Sequence, residues 1–313
     1  MLSRIAESLF WIGRYCERAD DTARLLDVHT HLLIEDPWAD ETMAGRTLLA
    51  VMGAEEQLHA GQDVVLELLA HSAVSPFSIA SCLTAARENA RRAREVVPAE
   101  LWEALNSTWL ALQSRQRQGD APHTFLRWAR ERVTLVTGVV ESTMVRDEGW
   151  QFLSLGRHIE RADMTSRIVA SATLSSQLAA MWTVVLRSCG GYDAYLRTYL
   201  RTYRGERGEA RAAEFILLDR AFPRSVVRGL DRAEVSLRML EPASDRTGVV
   251  DEARRVLGRA RTHLEYTPLP LLLERLPEEM VAVQRACERA STAVGRRYFD
   301  TSDSTAWSQE AAL

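Results

Sequence analysis

The sequence of 313 residues contains no lysine, and all 39 of its basic residues are arginine. This absence excludes sites that depend on a lysine amine, such as a P-loop lysine, a Schiff base or a lysine general base. Arginine keeps its proton near pH 7, so it cannot replace lysine as a general acid or base. The net charge of -4 predicts no broad basic face, which argues against a nucleic-acid partner.

Patterns for disulfides, metal sites and membrane spans are missing as well. The four cysteines are far apart and form no CxxC pair, and the seven histidines form no HExxH motif. These spacings favour buried thiols of a reducing compartment over disulfides or a zinc site. No apolar run approaches the roughly 20 residues that cross a bilayer, and charged residues interrupt the segment where a signal peptide would be apolar. We therefore expect a cytoplasmic protein without a metal, a cofactor or a membrane partner.

Helical periodicity dominates what is present. Apolar side chains recur at steps of three and four from Leu2 to Leu26. This pattern predicts a helix that runs to about Ile34, before Asp36 and Pro37. Proline and glycine divide the rest into segments of helical length, whereas alternating β-branched strands are hard to find. We expect an all-α bundle of about ten to twelve helices, in one domain over residues 1–300 with a flexible tail over 301–313.

The most informative feature is an internal repeat, which relates residues 5–30 to residues 148–173. Within it, segment 13–24 recurs as segment 156–167 with eight of twelve positions identical, at a constant spacing of 143 residues. A weaker copy lies at 285–290. This spacing is too long for a solenoid and predicts two related helical halves.

Each copy of the repeat carries a cluster of arginine and glutamate on one helix face. At about 100° per residue, Glu17, Arg18 and Asp21 fall within about 60° of Arg14. Large apolar residues such as Phe10 lie on the same face. A solvated face would not keep such residues around its charges, so we expect both clusters to lie in the interior or in a cleft. The corresponding residues of the second copy are Arg157, Glu160 and Arg161.

Two interpretations of these clusters remain open. Buried charges must be paired, because desolvating one ion costs several kcal/mol, and the arginine fork meets a carboxylate through two hydrogen bonds. The clusters are either a self-satisfied ion-pair network that fixes the packing of the two halves, or a network with surplus positive charge that binds a ligand carboxylate or phosphate. The second copy has Met164 where the first has Asp21, so the two clusters need not play equal roles.

Four further arginines are candidate ligand-binding residues. Arg87 lies on a helix whose charges could equally form a solvated face with pairs three and four residues apart. Arg146 is followed by Asp147, which we expect to cap the next helix. Arg204 lies in a glycine-rich charged loop, and Arg224 lies at a helix start that begins with proline.

The ordered motifs of the chain resemble the Alpha-E family, which is named for a helical domain and a recurrent Glu-Arg motif. The opening segment, residues 2–19, carries the first Glu-Arg pair, and further signature-like stretches follow it. These stretches are 85–91, 102–106, 146–150, 156–161, 203–205 and 217–226. The resemblance covers nearly the whole chain. The chain is also similar to a stand-alone mycobacterial member of the family, which implies an actinobacterial source.

The resemblance implies partners more than a reaction. It implies that the protein is associated with a circularly permuted ATP-grasp protein, to which members of the family are sometimes fused, and with transglutaminase-like proteases. We therefore expect an accessory or substrate-binding partner of a peptide or amide ligase system that binds a peptide or an acidic small molecule; a homo-oligomer stays open. The residues expected to bind this ligand are Arg14, Glu17, Arg18, Arg157, Glu160, Arg161, Arg87, Arg146, Arg204 and Arg224.

Two other functions remain open, and no catalytic residue is assigned. A catalytic component that acts on peptide amides would use Glu17 or Glu160 as its base. A flanking arginine is expected to lower the pKa of such a glutamate more than an apolar setting raises it, which leaves a carboxylate better suited to bind an amine than to donate a proton. A helical scaffold that only dimerises or docks other proteins would need no cavity beside the clusters.

Overall fold

The computed structural model describes residues 1–35, 40–54, 60–172, 178–200, 208–241 and 248–299. Over these ranges the chain forms fourteen helices and no strand, which confirms the predicted all-α class. The helices outnumber the ten to twelve that were expected because three of them are short. They have four to six residues each, too few for a periodic pattern to show in the sequence.

The fourteen helices divide between two halves of the chain. The first half contains α1 (Ser3–Glu35), α2 (Glu41–Met52), α3 (Gln62–Leu66), α4 (Ile79–Arg92), α5 (Ala99–Gln118) and α6 (Pro122–Thr143). The second half contains α7 (Glu148–Ala172), α8 (Leu178–Ser188), α9 (Tyr192–Tyr195), α10 (Gly208–Leu217), α11 (Val226–Leu240), α12 (Glu252–Tyr266), α13 (Leu269–Glu274) and α14 (Leu276–Val294). Single π-helical turns extend α3, α9 and α14 over Glu67–His71, Leu196–Leu200 and Gly295–Phe299.

Several helix ends fall where the sequence signals predicted them. The first helix ends at Glu35, one residue beyond the predicted Ile34. Helix α6 begins at Pro122, where the missing backbone N–H costs no helical hydrogen bond. The carboxylate of Asp147 accepts from the backbone N–H of Trp150 at 3.1 Å, which confirms the predicted cap of α7. None of the helices in the described part of the chain is both long and apolar enough to cross a bilayer.

Helices α1 and α7 lie side by side at the centre and run in the same direction. The amino group of Met1 meets Glu148 at 3.2 Å at one end, and later residues of α1 meet later residues of α7. Gly13 and Gly156 allow the two backbones to touch. A Cβ at Gly13 would lie 2.1 Å from a carbonyl oxygen of α7, and a Cβ at Gly156 would lie 2.0 Å from a carbonyl oxygen of α1.

The remaining helices surround the central pair in corresponding positions. In the first half α4 and α6 pack on α1, and α5 packs against α4 and α6. In the second half α11 and α14 pack on α7, and α12 packs against α11 and α14. Helix α2 also packs on α7 and α8 packs on α1, so each half covers the central helix of the other. These matching contacts are those of two related halves.

The charged faces of α1 and α7 are enclosed by this arrangement. Arg14 and Arg157 are each 9% exposed, Glu17 is 3% exposed and Glu160 is 1% exposed. Phe10, which shares the face with Arg14, is 1% exposed. The prediction that both clusters lie in the interior or in a cleft is therefore confirmed. What the clusters do depends on which of these buried charges pair with one another.

Candidate functional site

The two Glu-Arg motifs exchange partners between the halves. Arg161 of α7 donates to Glu17 of α1 through Nε at 2.6 Å and Nη2 at 2.7 Å. Arg18 of α1 donates to Glu160 of α7 through Nε at 2.6 Å and Nη2 at 3.1 Å. Both are forked, charge-assisted pairs, the strongest kind of side-chain hydrogen bonding. The motif therefore joins the halves, since each glutamate is neutralised by the arginine of the opposite copy.

The loops in front of α4 and α11 receive the outer ends of these arginines. The Nη1 of Arg18 donates to the carbonyl of Pro76 at 3.3 Å, and the Nη1 of Arg161 donates to the carbonyl of Pro223 at 3.4 Å. Two residues after each proline, the side chains of Ser78 and Ser225 cap the N-termini of α4 and α11. This second correspondence, Pro-x-Ser at a spacing of 147 residues, was missed in the sequence because only two residues carry it.

A third correspondence lies one turn further along the central helices. The Nε of Arg24 donates to Asp20 at 2.9 Å, and the Nε of Arg167 donates to Asp163 at 2.9 Å. Both are pairs four residues apart on a partly buried helix face. Up to this point the two halves use the same residues in the same way.

The halves differ at the residue between the proline and the serine of each loop. In the second half it is Arg224, whose guanidinium reaches across to α1, 3.0 Å from Glu17 and in contact with Asp20 and Asp21. In the first half it is Phe77. Three buried carboxylates of this spacing could together hold a metal ion, but the guanidinium of Arg224 already supplies the cation there.

The pKa values of these carboxyl groups follow from their neighbours. Burial would raise the pKa of Glu17, but the guanidinium groups of Arg161 and Arg224 outweigh it and lower that pKa. Burial likewise opposes the charge of Glu160, yet its two arginine partners lower its pKa to about 2. Burial raises the pKa of Asp21 to about 8; the guanidinium of Arg224 opposes this rise, whereas the neighbouring carboxylates of Glu17 and Asp20 add to it. Both motif glutamates are therefore ionised near pH 7.

Arg14 and Arg157 occupy matching positions but bind different partners. The Nε of Arg14 donates to Glu160 at 2.5 Å, so Glu160 receives two arginines, as Glu17 does from Arg161 and Arg224. Arg157 turns away from the centre and donates to Glu141 of α6 at 2.7 Å. The two arginines are therefore not equivalent, because Arg14 pairs with the glutamate of the opposite copy whereas Arg157 pairs with a carboxylate on α6.

An open cavity adjoins the second cluster where Phe77 stands in place of an arginine. Its volume is about 630 Å³. We call it the Phe77 cavity. Its charged lining consists of Arg14, Arg18, Arg167, Arg285, Glu160, Asp163 and Glu288. Four arginines face three carboxylates, so the cavity has one formal positive charge in surplus. Two of these residues, Arg285 and Glu288, belong to the weak third copy of the motif on α14.

The other predicted arginines lie away from this cavity. Arg87 packs against α5, with its guanidinium 4.5 Å from the ring centre of Trp109, and pairs with the neighbouring Glu88. Arg146 shares Glu141 with Arg157 and is half exposed. Arg204 and the tail over 301–313 lie outside the described residues. Arg87 and Arg146 thus have partners of their own, and neither lines the cavity.

Comparison with known proteins places the chain by family. An uncharacterized protein of Mycobacterium tuberculosis, Rv2567, is 26% identical to it over 289 residues, which are 82% of this chain and 32% of that protein. A protein of Mycobacterium bovis, Mb2597, matches to the same extent. The chain thus spans about a third of the length of these relatives. No solved structure matches it. A family model described as a predicted alpha-helical domain with a conserved ER motif matches residues 1–299, so the chain belongs to the Alpha-E family.

Proposed function

We propose that this protein is a ligand-binding partner of an ATP-grasp amide ligase, and that it holds a carboxylate-bearing peptide or a small acidic molecule in the Phe77 cavity. The observation that carries the proposal is the difference between two matching sites. One is filled by the guanidinium of Arg224, whereas the other is open and has surplus positive charge. A carboxylate suits that surplus, because it accepts two hydrogen bonds from one arginine fork.

The shape and lining of the Phe77 cavity support an organic ligand rather than a simple ion. Its volume of about 630 Å³ falls within the range of small-molecule sites. Trp11, Met52, Met164 and Val281 add apolar surface to the charged residues. A peptide with an acidic group would place its carboxylate on the arginines and its apolar part on these side chains.

The motif glutamates favour binding over catalysis. Glu17 and Glu160 are each held by two arginines, and their pKa values are lowered. A carboxylate with a pKa of about 2 is a weak base and carries no proton to donate near pH 7. A catalytic protein that used either residue would have to show turnover without its partner, and a Glu17→Gln change would have to abolish that turnover.

The ligase partner is inferred from the family, and the relatives are compatible with it. In the mycobacterial relatives the matched region is 32% of the protein, so it is joined there to a longer remainder. We propose that such a domain works beside a ligase and a transglutaminase-like protein rather than alone. We further propose a cytoplasmic location, since the four cysteines are free and buried, as expected in a reducing compartment.

A calorimetric titration with the dipeptide glutamyl-glutamate tests the binding proposal. Arg285→Gln removes an exposed arginine from the cavity, and we expect it to weaken binding roughly tenfold, because a charged hydrogen bond contributes about 1.5–3 kcal/mol. The matched control is Arg289→Gln, which removes an exposed arginine of the same helix that does not line the cavity. Equal weakening in both variants would show a diffuse charge effect, and would contradict a site in the cavity.

Reconstitution with a circularly permuted ATP-grasp protein tests the partner proposal. We expect the two proteins to co-purify, and the addition of this chain to increase ADP release when the acidic peptide is present. Arg285→Gln should lower that increase, whereas Arg289→Gln should leave it unchanged. If the peptide binds but the addition of this chain does not change ADP release, the ligand site in the cavity is retained and the proposed ligase partner is rejected.

A further inference from the structure

We infer that the chain has a second ligand site, a cavity lined by Arg24, Arg130 and Arg187, and that this site binds a small organic molecule with a phosphate group. We call it the Arg130 cavity. Its volume is about 770 Å³, and it shares no lining residue with the Phe77 cavity. Its occupant is therefore independent of the function proposed above.

Arg130 of α6 provides the main observation. Its Nη1 donates to Asp27 of α1 at 3.1 Å, but its Nε is buried and has no hydrogen-bond partner among the described residues. A buried guanidinium N–H that meets no acceptor is rare in folded proteins and costs free energy. Asp27 is also shared with His31, whose Nε2 lies 3.8 Å away. An oxyanion in the cavity would supply the acceptor that Arg130 lacks.

The charges around Arg130 also favour an anionic ligand. Burial lowers the pKa of Arg130, and the next largest influence is Arg24, a charge of the same sign that lowers it further. Asp20 and Asp27 oppose this effect without cancelling it. Arg130 nevertheless keeps its proton, since an arginine is charged throughout the ordinary pH range. The charged lining consists of three arginines, Arg24, Arg130 and Arg187, and two carboxylates, Asp27 and Asp193, so the cavity has one formal positive charge in surplus.

The number of arginines favours a phosphate over a carboxylate. A carboxylate is satisfied by one arginine fork, whereas a phosphate monoester has three free oxygens and close to two negative charges at pH 7. Arg24 and Arg130 line the cavity from two different helices, and Arg187 of α8 lies 5.2 Å over the ring of Tyr192. Arg24 also pairs with Asp20, and Arg130 also pairs with Asp27, so each would bind the phosphate through its remaining N–H groups. Guanidinium groups from three helices suit the three oxygens of one phosphate.

The remaining lining indicates an organic phosphate. The apolar residues among the lining side chains are Val28, Leu32 and Val184. The volume of about 770 Å³ greatly exceeds that of an inorganic phosphate, but suits a phosphate ester with a ring or a chain. The ester group would contact the apolar residues while the phosphate contacts the arginines.

Titration calorimetry with phenyl phosphate tests this inference, with benzoate as the carboxylate of similar size. The wild type should bind phenyl phosphate at least tenfold more tightly than benzoate. Arg130→Gln should weaken phenyl phosphate binding about tenfold or more, because it removes one charged donor group. Arg187→Gln, a change at an exposed residue, should also weaken it and gives a variant that keeps the buried packing.

Two control variants make the assignment specific. Arg127→Gln changes an exposed arginine one turn before Arg130 that does not line the cavity, and should leave binding unchanged. Arg285→Gln changes the Phe77 cavity, and should also leave phenyl phosphate binding unchanged. The inference is overturned if the wild type does not bind phenyl phosphate, if Arg127→Gln weakens binding as much as Arg130→Gln, or if only Arg285→Gln affects it.

Discussion

The two halves of the protein each neutralise a buried glutamate, but they take the second arginine from different elements. Each buries a glutamate of the repeated motif, and each neutralises it with two arginines. In the first cluster the second arginine bound to Glu17 is Arg224, which comes from a loop and fills the space beside the cluster. The cluster around Glu160 takes Arg14 from the central helix, and the loop position holds Phe77 instead. Both copies of the repeat therefore keep the ion pairs that join the two central helices, while only the copy around Glu160 has a cavity beside it.

The paired changes explain how this difference is tolerated. Where the loop residue is Arg224, the residue it meets on the central helix is Asp21. Where the loop residue is Phe77, the matching helix residue is Met164, and both line the cavity. The contact between Arg224 and Asp21 in one cluster is thus replaced by an apolar pair in the other, so the second cluster lacks both the loop arginine and the helix carboxyl group.

The largest expected effect comes from Arg224→Leu. This change leaves the carboxylates of Glu17, Asp20 and Asp21 without their shared cation, and should lower the free energy of unfolding by about 3–5 kcal/mol. The matched change Phe77→Leu removes apolar contacts and the approach of the Arg18 guanidinium to the ring at 6.0 Å, but uncovers no buried carboxylate, and should cost about 1 kcal/mol. Urea denaturation of both variants checks the comparison. Equal losses would mean that Arg224 does not neutralise a buried cluster.

The next largest expected effect is a pH dependence of the free energy of unfolding, which arises from Glu160 in the second cluster. The folded-state pKa of Glu160 is about 2, below its ordinary value of 4.5. Its stabilisation is therefore fully present above pH 4.5 and is lost as the pH falls toward 2. The shift corresponds to about 3 kcal/mol.

Glu160→Gln isolates this contribution. The difference in free energy of unfolding between wild type and variant should be largest at pH 6 and should shrink steadily below pH 4.5. Glu131→Gln, at an exposed pair with Arg127, should show a small difference at every pH. A wild-type minus Glu160→Gln difference that stays constant down to pH 3 would mean that the arginines do not hold Glu160 in its charged form.

The smallest effect concerns the close contact of α1 and α7. Gly13→Ala and Gly156→Ala place a Cβ about equally close to a carbonyl oxygen of the opposite helix. Each should lower the free energy of unfolding by about 1–3 kcal/mol, and by similar amounts. Gly138→Ala in α6, where a Cβ meets nothing within 4 Å, should instead stabilise the protein by about 0.5–1 kcal/mol. Thermal unfolding ranks the three, and clearly unequal losses at Gly13 and Gly156 would show that the halves meet asymmetrically.

The sequence predicted the helices and the burial of the clusters because both are local properties. The period of apolar residues marked the extent of α1, and apolar neighbours of Arg14 and Arg157 indicated an enclosed face. The substitution of Asp21 by Met164 already suggested unequal roles. These signals lie within one helix, where spacing in the sequence fixes spacing in space.

The pairing of the charges could not be predicted, because it depends on which elements meet. Nothing in the sequence showed that Arg161 binds Glu17 across the halves, or that Arg157 instead reaches Glu141 on α6. The Phe77 cavity was missed for the same reason. It results from a loop residue that corresponds to Arg224 only once the two loops are superimposed through their Pro-x-Ser motifs.

One measurement tests the difference between the halves most directly. The double change Phe77→Arg and Met164→Asp gives the second cluster the loop arginine and the helix carboxylate that close the first. We expect this variant to fold with a melting temperature close to that of the wild type, and to lose the binding of glutamyl-glutamate in calorimetric titration. Unchanged affinity in the folded variant would contradict the assignment of the ligand site to the Phe77 cavity.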